Sequence, residues 1–233
     1  MTSQERTRIE APGGAEELAQ LAIALHDEPS VIETVDMVLE YALRALDCDY
    51  AGVIFLHGRS RVETAAATDP LVEKLDQVQI ECGEGPDLDV LLGPLGVLVT
   101  DTQTETRWPN WARRVSSYGI RSLISIRMYT SATTVGTLNF YDREPHCFDH
   151  RDQEIAHLLA RHAAVALASA RTTENLWMAV DARKLIGQAQ GILMERYSLN
   201  VDQAFAVLMR YSQQKNVKLK DVAQHLVDGR ELS

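Results

Sequence analysis

The residue types that do chemistry in proteins are present in this sequence, but their spacing does not build a catalytic centre. His157 and His162 have the chemistry of general bases, yet no serine or cysteine beside them shows a nucleophile motif. The segment Cys147-Phe148-Asp149-His150 offers metal-ligating side chains, but no second Cys/His cluster accompanies it. We therefore expect no catalytic residues, no metal site, no cofactor and no enzymatic activity. Asp149 is better explained as the N-cap of a following helix.

Cysteine spacing and hydropathy narrow the class of protein further. Cys48, Cys82 and Cys147 show no CxxC spacing, which indicates reduced thiols and argues against a disulfide framework or a zinc site. No apolar run approaches the roughly 18 residues that span a bilayer, and the first residues lack the apolar stretch of a signal peptide. These features predict a cytoplasmic protein with no membrane partner.

The acidic charge of the chain is unevenly distributed. The net charge of the 233 residues is −10, and residues 174–233 carry eight Lys/Arg against seven Asp/Glu. The acidity therefore belongs to the first part of the chain. A polyanionic partner is expected to bind the last part, which its charge does not repel.

The first two thirds of the chain show helical periodicity followed by strand-like segments. Residues 16–46 have apolar positions near helical spacing and predict two helices. Pro29 interrupts them, and Ser30 is expected to cap the second helix. Five β-rich segments follow, the first two forming a hairpin around Gly58-Arg59-Ser60. They are Tyr50–His57, Arg61–Ala67, Gly96–Thr100, Ser122–Tyr129 and Thr134–Tyr141. Strands flanked by helices in this way predict an α+β sandwich with an antiparallel sheet.

A long, coiled-coil-like helix is predicted next, because no proline interrupts the chain from Asp149 to about Tyr197. One apolar stripe along it contains Ile155, Leu158, Val165, Leu176, Ala179, Ile186 and Leu193. A second contains Leu159, Ala163, Ala166, Ala170, Trp177 and Val180. Two stripes indicate that one side packs on the sheet and the other on a partner, so we expect a parallel homodimer through this connector. A single helix buried within a monomer remains the alternative.

The last part of the chain predicts an all-α module of three helices. Asn200 precedes a helical pattern with Gln203 three residues later, which is typical of a capping box. Another amphipathic segment begins near Leu219 and contains Val222 and Leu226 on its apolar face. Together with the end of the long helix, these segments must bury their apolar faces against one another.

The N-terminal part resembles a GAF domain over about residues 15–170, after a tail at residues 1–14 that we expect to be disordered. The resemblance depends on the order of several segments. They are Gly83-Glu84-Gly85-Pro86 and a following helix, Val97–Asp101, Ser122–Ile126, Gly136–Tyr141, Phe148 and Ala160–Leu167.

The GAF resemblance implies a pocket for a small molecule or another signal, covered by the glycine loop. Gly83, Glu84 and Gly85 are therefore candidate pocket residues. The loop glycines are also explained by backbone angles that a Cβ would hinder. The alternative is a dimerising scaffold without a ligand. In that interpretation, bulky side chains near the loop simply fill a core, namely Cys82, Trp108, Trp111 and Tyr118.

Residues 171–233 contain a longer match, since Ala182–Val227 is similar throughout to the ANTAR domain. The resemblance implies a regulator that binds paired RNA stem-loops in nascent transcripts and prevents transcription termination. The side chains expected to bind RNA are polar, basic or aromatic residues of this match, namely Lys184, Gln188, Gln190, Arg196, Tyr197, Arg210, Lys215 and Lys218.

Two other functions stay open for the last module. Three short helices can also place a recognition helix in the major groove of DNA, although the weak net charge makes a duplex binder less attractive. The second alternative is a protein-interaction scaffold that binds no nucleic acid. No receiver domain is evident in the sequence, so we expect the GAF domain, and not aspartyl phosphorylation, to provide the input.

Overall fold

The computed structural model describes residues 20–25, 28, 30–58 and 61–229. The tail predicted at residues 1–14 lies outside these ranges, as do Pro29 of the predicted helix break and Arg59 and Ser60 of the predicted hairpin turn. The chain forms two compact units, one ending at Arg171 and the other beginning at Thr172.

The first unit contains a five-stranded antiparallel sheet, as predicted. Its strands are β1 (Tyr50–His57), β2 (Arg61–Ala67), β3 (Gly96–Val99), β4 (Ser122–Tyr129) and β5 (Thr134–Asp142). Their spatial order is β2-β1-β5-β4-β3, and every neighbouring pair is antiparallel. The expected β1–β2 hairpin is therefore present, and β5 lies at the centre of the sheet.

Helices cover both faces of this sheet. Residues 20–25 are helical, within the first of the two helices predicted before Tyr50. Four further helices of the described part precede the long helix: α1 (Val31–Leu46), α2 (Pro70–Cys82), α3 (Pro86–Leu92) and α4 (Pro109–Ser117). Because side chains alternate along a strand, Ile124 of β4 joins the core beneath α1, while the adjacent Leu123 joins the core beneath α2, α3 and α4. The α+β sandwich is thus confirmed.

Two helices, α2 and α4, were not anticipated from the sequence. Both begin with a proline, a residue that ends helices but is also well tolerated in a first helical turn. Asp69 caps α2 by accepting a hydrogen bond from the Leu71 backbone N–H at 2.7 Å. The proline therefore marks a helix start at each of these positions.

The long helix α5 runs without interruption over His150–Tyr197. Asp149 caps it as expected, because its Oδ1 accepts hydrogen bonds from the backbone N–H groups of Arg151 and Asp152 at 2.7 and 3.1 Å. The residues of α5 that pack on the sheet include Leu159, Ala163 and Ala166 of the predicted second stripe.

The first predicted stripe of α5 does not form one uniform surface. Leu158, Val165 and Leu176 are exposed, whereas Leu193 is buried and Ile186 packs beside it in the core of the second unit. The stripe divides because α5 is shared by two units, and each unit buries the part of the helix that lies within it.

The second unit is the predicted module of three helices. α6 (Val201–Lys215) and α7 (Leu219–Val227) pack with the end of α5 around a small core that includes Leu193, Leu208 and Leu226. Asn200 and Gln203 form the expected capping box at the start of α6. Within the described ranges, no helix has the combination of length and apolar character needed to span a membrane.

Candidate functional site

The glycine loop of the first unit is shaped by its two glycines. Gly83 adopts a left-handed conformation with φ 66°, and its N–H donates to the carbonyls of Gln79 and Ile80 to end α2. Gly85 has φ 149°, and a Cβ at this position would collide with the side chain of Gln79. Both positions therefore require glycine for the backbone turn that leads from α2 into α3.

Glu84, the third candidate pocket residue, contacts the start of α4. Its Oε1 accepts hydrogen bonds from the backbone N–H groups of Asn110 and Trp111 at 2.6 and 3.1 Å. A carboxylate in this position satisfies free donors and interacts favourably with the helix dipole. The loop thereby connects the helices that cover one face of the sheet.

The space under the loop is small. A cavity of about 10 Å³ lies among α2, α3 and the first two strands, and Gly83, Glu84 and Gly85 are not among its lining residues. This volume accommodates roughly one water molecule. Its polar lining includes the buried side chains of Asp76, Gln79 and Asp87.

A buried polar network occupies the position where the sequence suggested a pocket. Asp87 accepts hydrogen bonds from the Ser125 hydroxyl and the Gln79 side-chain amide. Asp76 accepts hydrogen bonds from the Thr64 hydroxyl at 2.7 Å and the Tyr141 hydroxyl at 3.3 Å. The network places two carboxylates in the interior, which is unusual because burial disfavours their charged form.

These surroundings change the proton affinity of both carboxylates. Burial, followed by the nearby charge of Asp87, raises the pKa of Asp76 from 3.8 to about 7. Burial also raises the pKa of Asp87, although hydrogen bonds from Ser125 and Gln79 oppose this effect. Within the described part of the chain, no Lys or Arg forms an ion pair with either carboxylate. The network is therefore able to hold a proton near neutral pH.

Sequence reasoning missed Asp76 and Asp87, although a signal for Asp76 exists. Asp76 falls on the same face of α2 as the buried residues Val72 and Gln79. An acidic residue in the apolar stripe of a helix indicates a buried carboxylate with specific partners. Its partners come from distant strands, so the stripe alone does not identify them.

The bulky residues near the loop divide between the core and the surface. Trp108 and Trp111 are buried with their rings 5.7 Å apart in an edge arrangement, and Cys82 packs against the same core. Tyr118 is 40% exposed. The tryptophans therefore fill the interior under α4, whereas Tyr118 does not.

The histidines and cysteines considered first do not converge on one another. In the described ranges, no three His, Cys, Asp or Glu side chains lie close enough to hold a metal ion. Burial, followed by the charge of Arg161, lowers the pKa of His157. The Asp149 carboxylate of the Cys147–His150 segment serves the cap of α5.

The candidate RNA-binding residues lie in the second unit, and most of them are on its surface. Seven have exposed side chains: Lys184, Gln188, Arg196, Tyr197, Arg210, Lys215 and Lys218. Gln190 is half-buried, and its Nε2 donates to the Val201 carbonyl at 3.1 Å. Gln190 therefore joins α5 to the start of α6.

The structure brings two of these residues together with two that the sequence analysis did not select. Lys184 and Gln188, one turn apart on α5, line a groove with Lys220 and Gln224, which are one turn apart on α7. The repeated Lys-x-x-x-Gln spacing is visible in the sequence. Only the packing of α7 beside α5 shows that the two pairs share one groove.

Comparison with protein-family models matches both units. A GAF domain model matches residues 28–168, more than half of the chain, and an ANTAR domain model matches residues 174–227. No curated protein matches the chain.

Solved structures resemble the chain at low sequence identity. The GAF domain of a phosphoenolpyruvate-protein phosphotransferase from Coxiella burnetii has a TM-score of 0.57 and 16% identity, covering 69% of this chain and 96% of that one. Free methionine-R-sulfoxide reductase from Neisseria meningitidis has a TM-score of 0.55 and 18% identity, covering 68% and 90%. A GAF domain from Synechocystis sp. PCC6803, in its photoproduct state, has a TM-score of 0.53 and 16% identity, covering 63% and 99%.

These structural matches establish the fold, while the two family models establish the domains. Both are types of regulatory domain. The chain therefore belongs to the GAF domain family, and its ANTAR domain makes it a regulator of the GAF plus ANTAR type.

Proposed function

We propose that the protein is an RNA-binding transcription antitermination regulator and not an enzyme. In this proposal the GAF domain is the sensor, and the ANTAR domain binds paired RNA stem-loops in nascent transcripts in the cytoplasm. The observation that carries the proposal is the ANTAR match over residues 174–227.

The surface chemistry of the second unit supports this proposal. Arg196 and Arg210 are exposed and form no ion pair within the described residues, so their charges are available to phosphates. Arg210 lies on the side of α6 away from the buried Ala204 and Leu208. Tyr197 is exposed beside Arg196 and offers a ring on which an unpaired base can stack.

The proposal is tested by measuring binding of RNA hairpins and of duplex DNA with the same stem sequence to the full chain. We expect hairpin RNA to bind more tightly than duplex DNA. Arg196→Ala and Arg210→Ala should each weaken binding and reduce the slope of log affinity against log salt by about one. Arg113→Ala is the control, because Arg113 is an exposed arginine of α4 in the first unit.

Three outcomes contradict parts of this proposal. Tighter binding of duplex DNA would favour a DNA-binding transcription factor. Absence of binding to either nucleic acid would favour a protein-interaction scaffold. Unchanged affinity and salt slope in both arginine variants, with folding checked by circular dichroism, would remove these residues from the RNA-binding surface.

The proposal includes a parallel homodimer through the connector helix. Val165 and Leu176 on α5 are 61% and 63% exposed, and Leu158 is also exposed. Large apolar side chains repeated along one helix are typical of a surface that a second copy covers. Within the proposal, dimerisation places two RNA-binding domains in one molecule.

The dimer is tested by light scattering on the Leu158→Asp, Val165→Asp double variant. We expect a monomer mass, because an unpaired carboxylate at a helical interface costs several kcal/mol. Ile32→Asp is the control, since Ile32 is an exposed apolar residue of α1. A monomeric wild type, or a double variant that stays dimeric, would contradict the assignment of this surface.

A further inference from the structure

The groove between α5 and α7 has the dimensions of a binding site for one small chemical group. Its volume is about 470 Å³, and all its lining residues belong to the second unit. Binding pockets for small molecules commonly occupy about 300–1,000 Å³. This volume is sufficient for a single nucleotide unit.

The charges along the groove are balanced. Lys184 and Lys220 contribute two positive charges, and Asp181 and Asp221 contribute two negative ones. A phosphate site is expected to be mainly positive, because carboxylates repel phosphate oxygens. Carboxylates and amides instead accept hydrogen bonds from the amino groups of bases. The composition of the groove therefore favours a base edge over a phosphate.

The polar side chains of the groove have unused hydrogen-bonding capacity. Lys184, Gln188 and Lys220 form no side-chain hydrogen bond or ion pair in the part of the chain that the structure describes. Gln224 donates its Nε2 to Asp228 Oδ1 at 2.6 Å, which orients its amide. Its Oε1 accepts no hydrogen bond among the described residues and remains an acceptor.

We propose that this groove recognises an unpaired RNA base that carries an exocyclic amino group, through the side-chain amides of Gln188 and Gln224. This inference rests on the proposed RNA binding and assigns the reading of loop sequence to one part of the surface. Gln188, with both a donor and an acceptor free, suits the adjacent amino group and ring nitrogen of adenine. The oriented Gln224 carbonyl accepts a hydrogen bond from an amino group, while Lys184 and Lys220 interact with the flanking phosphates.

Lys220 and Gln224 thereby join the residues expected to contact RNA. The side chains of the groove have two different roles. The glutamines discriminate between bases, so their loss changes specificity. The lysines neutralise phosphates, so their loss weakens binding of all loops to the same extent.

The test removes the amino group from the RNA and the amide from the protein. Two hairpins share one stem and differ only in the loop, which contains either adenosine or purine riboside at every position. Purine riboside lacks the exocyclic amino group but retains the ring. We expect the full-length wild type to prefer the adenosine loop by roughly tenfold, the size of one good base-edge interaction.

The variants then locate this preference in the protein. Gln188→Ala and Gln224→Ala should each bring the ratio of the affinities for the two hairpins close to one. Lys184→Ala and Lys220→Ala should weaken binding of both hairpins and leave this ratio unchanged. Gln213→Ala is the matched control, because Gln213 is an exposed glutamine of α6 without a side-chain hydrogen bond in the described residues. Circular dichroism checks that each variant keeps its helices.

The outcomes distinguish a failure of RNA binding from a failure of the groove assignment. If the wild type binds neither hairpin nor any other hairpin RNA, the proposed function fails and this inference fails with it. If the wild type binds both hairpins with equal affinity, or if both glutamine variants keep the wild-type preference, RNA binding stands and the groove assignment is overturned.

Discussion

The two units place their polar side chains in opposite environments. In the first, Asp76 and Asp87 are buried and receive hydrogen bonds from hydroxyl and amide groups on neighbouring elements. In the second, Lys184 and Gln188 lie at the surface and have no partner among the described residues. A buried, satisfied network contributes to the stability and proton response of its own domain. Exposed and unpaired side chains are free to bind another molecule.

The strongest way to test this contrast is to remove one acidic residue from each unit. Asp87→Ala should lower the free energy of unfolding of the first unit by about 3 kcal/mol, because it leaves the donors of Ser125 and Gln79 buried without acceptors. Asp221→Ala should lower stability by no more than about 1 kcal/mol, since Asp221 is exposed and lies in the first turn of α7, where its charge interacts with the helix dipole.

Urea unfolding followed by tryptophan fluorescence measures the effect of Asp87→Ala, because Trp108 and Trp111 are buried in the first unit. Urea unfolding followed by circular dichroism measures the effect of Asp221→Ala, because the second unit consists of helices. Equal effects of Asp87→Ala and Asp221→Ala would show that burial of the network does not control stability.

A second test uses pH, because the pKa of Asp76 is raised to about 7 by burial and by the charge of Asp87. The folded state then retains a proton on Asp76 that the unfolded state releases at about pH 4. Between about pH 4 and pH 7 the folded state binds more protons, so this group's contribution to stability decreases as pH rises and is constant above pH 7.

The Asp76→Asn variant isolates this effect. Its stability relative to wild type should increase with pH by on the order of 1 kcal/mol per pH unit from pH 4 to pH 7. Unfolding free energies of both proteins at several pH values provide the measurement. Parallel curves for the two proteins would contradict the assignment of a proton to Asp76.

The smallest expected effect concerns Gln190, the exception among the RNA-binding candidates. Gln190→Ala should destabilise the second unit by about 1 kcal/mol, because it removes the hydrogen bond to the Val201 carbonyl. Gln188→Ala should leave stability unchanged, since Gln188 is exposed and makes no such bond. Thermal unfolding followed by circular dichroism compares the two. If Gln190→Ala leaves stability unchanged, the hydrogen bond of Gln190 to Val201 does not stabilise the second unit.

The sequence was sufficient where a residue's role depends on near neighbours. The capping box of Asn200 and Gln203, the Asp149 cap and the five strands all follow from local patterns, and the structure contains them. The starts of α2 and α4 were missed because a proline marks both turns and first helical positions.

The candidate sites depend on contacts between distant residues, which local patterns do not specify. Asp76 meets Tyr141 across 65 positions of sequence, and Ser125 meets Asp87 across 38. Glu84 was selected with the loop glycines, but its carboxylate reaches α4, which the sequence did not predict. Lys220 and Gln224 repeat the spacing of Lys184 and Gln188, yet only tertiary packing brings the pairs into one groove.

The glycines of α5 have a consequence for how the helix opens. Gly187 and Gly191 lie one turn apart within the helix, and a Cβ built at either position meets no atom within 4 Å. Alanine therefore fits at both sites, and each glycine lowers helix stability by about 1 kcal/mol relative to alanine. Local opening of a helix occurs where its stability is lowest. Backbone amides around these glycines should exchange with solvent deuterium before those of Leu159–Ala170, where the sheet covers the same helix.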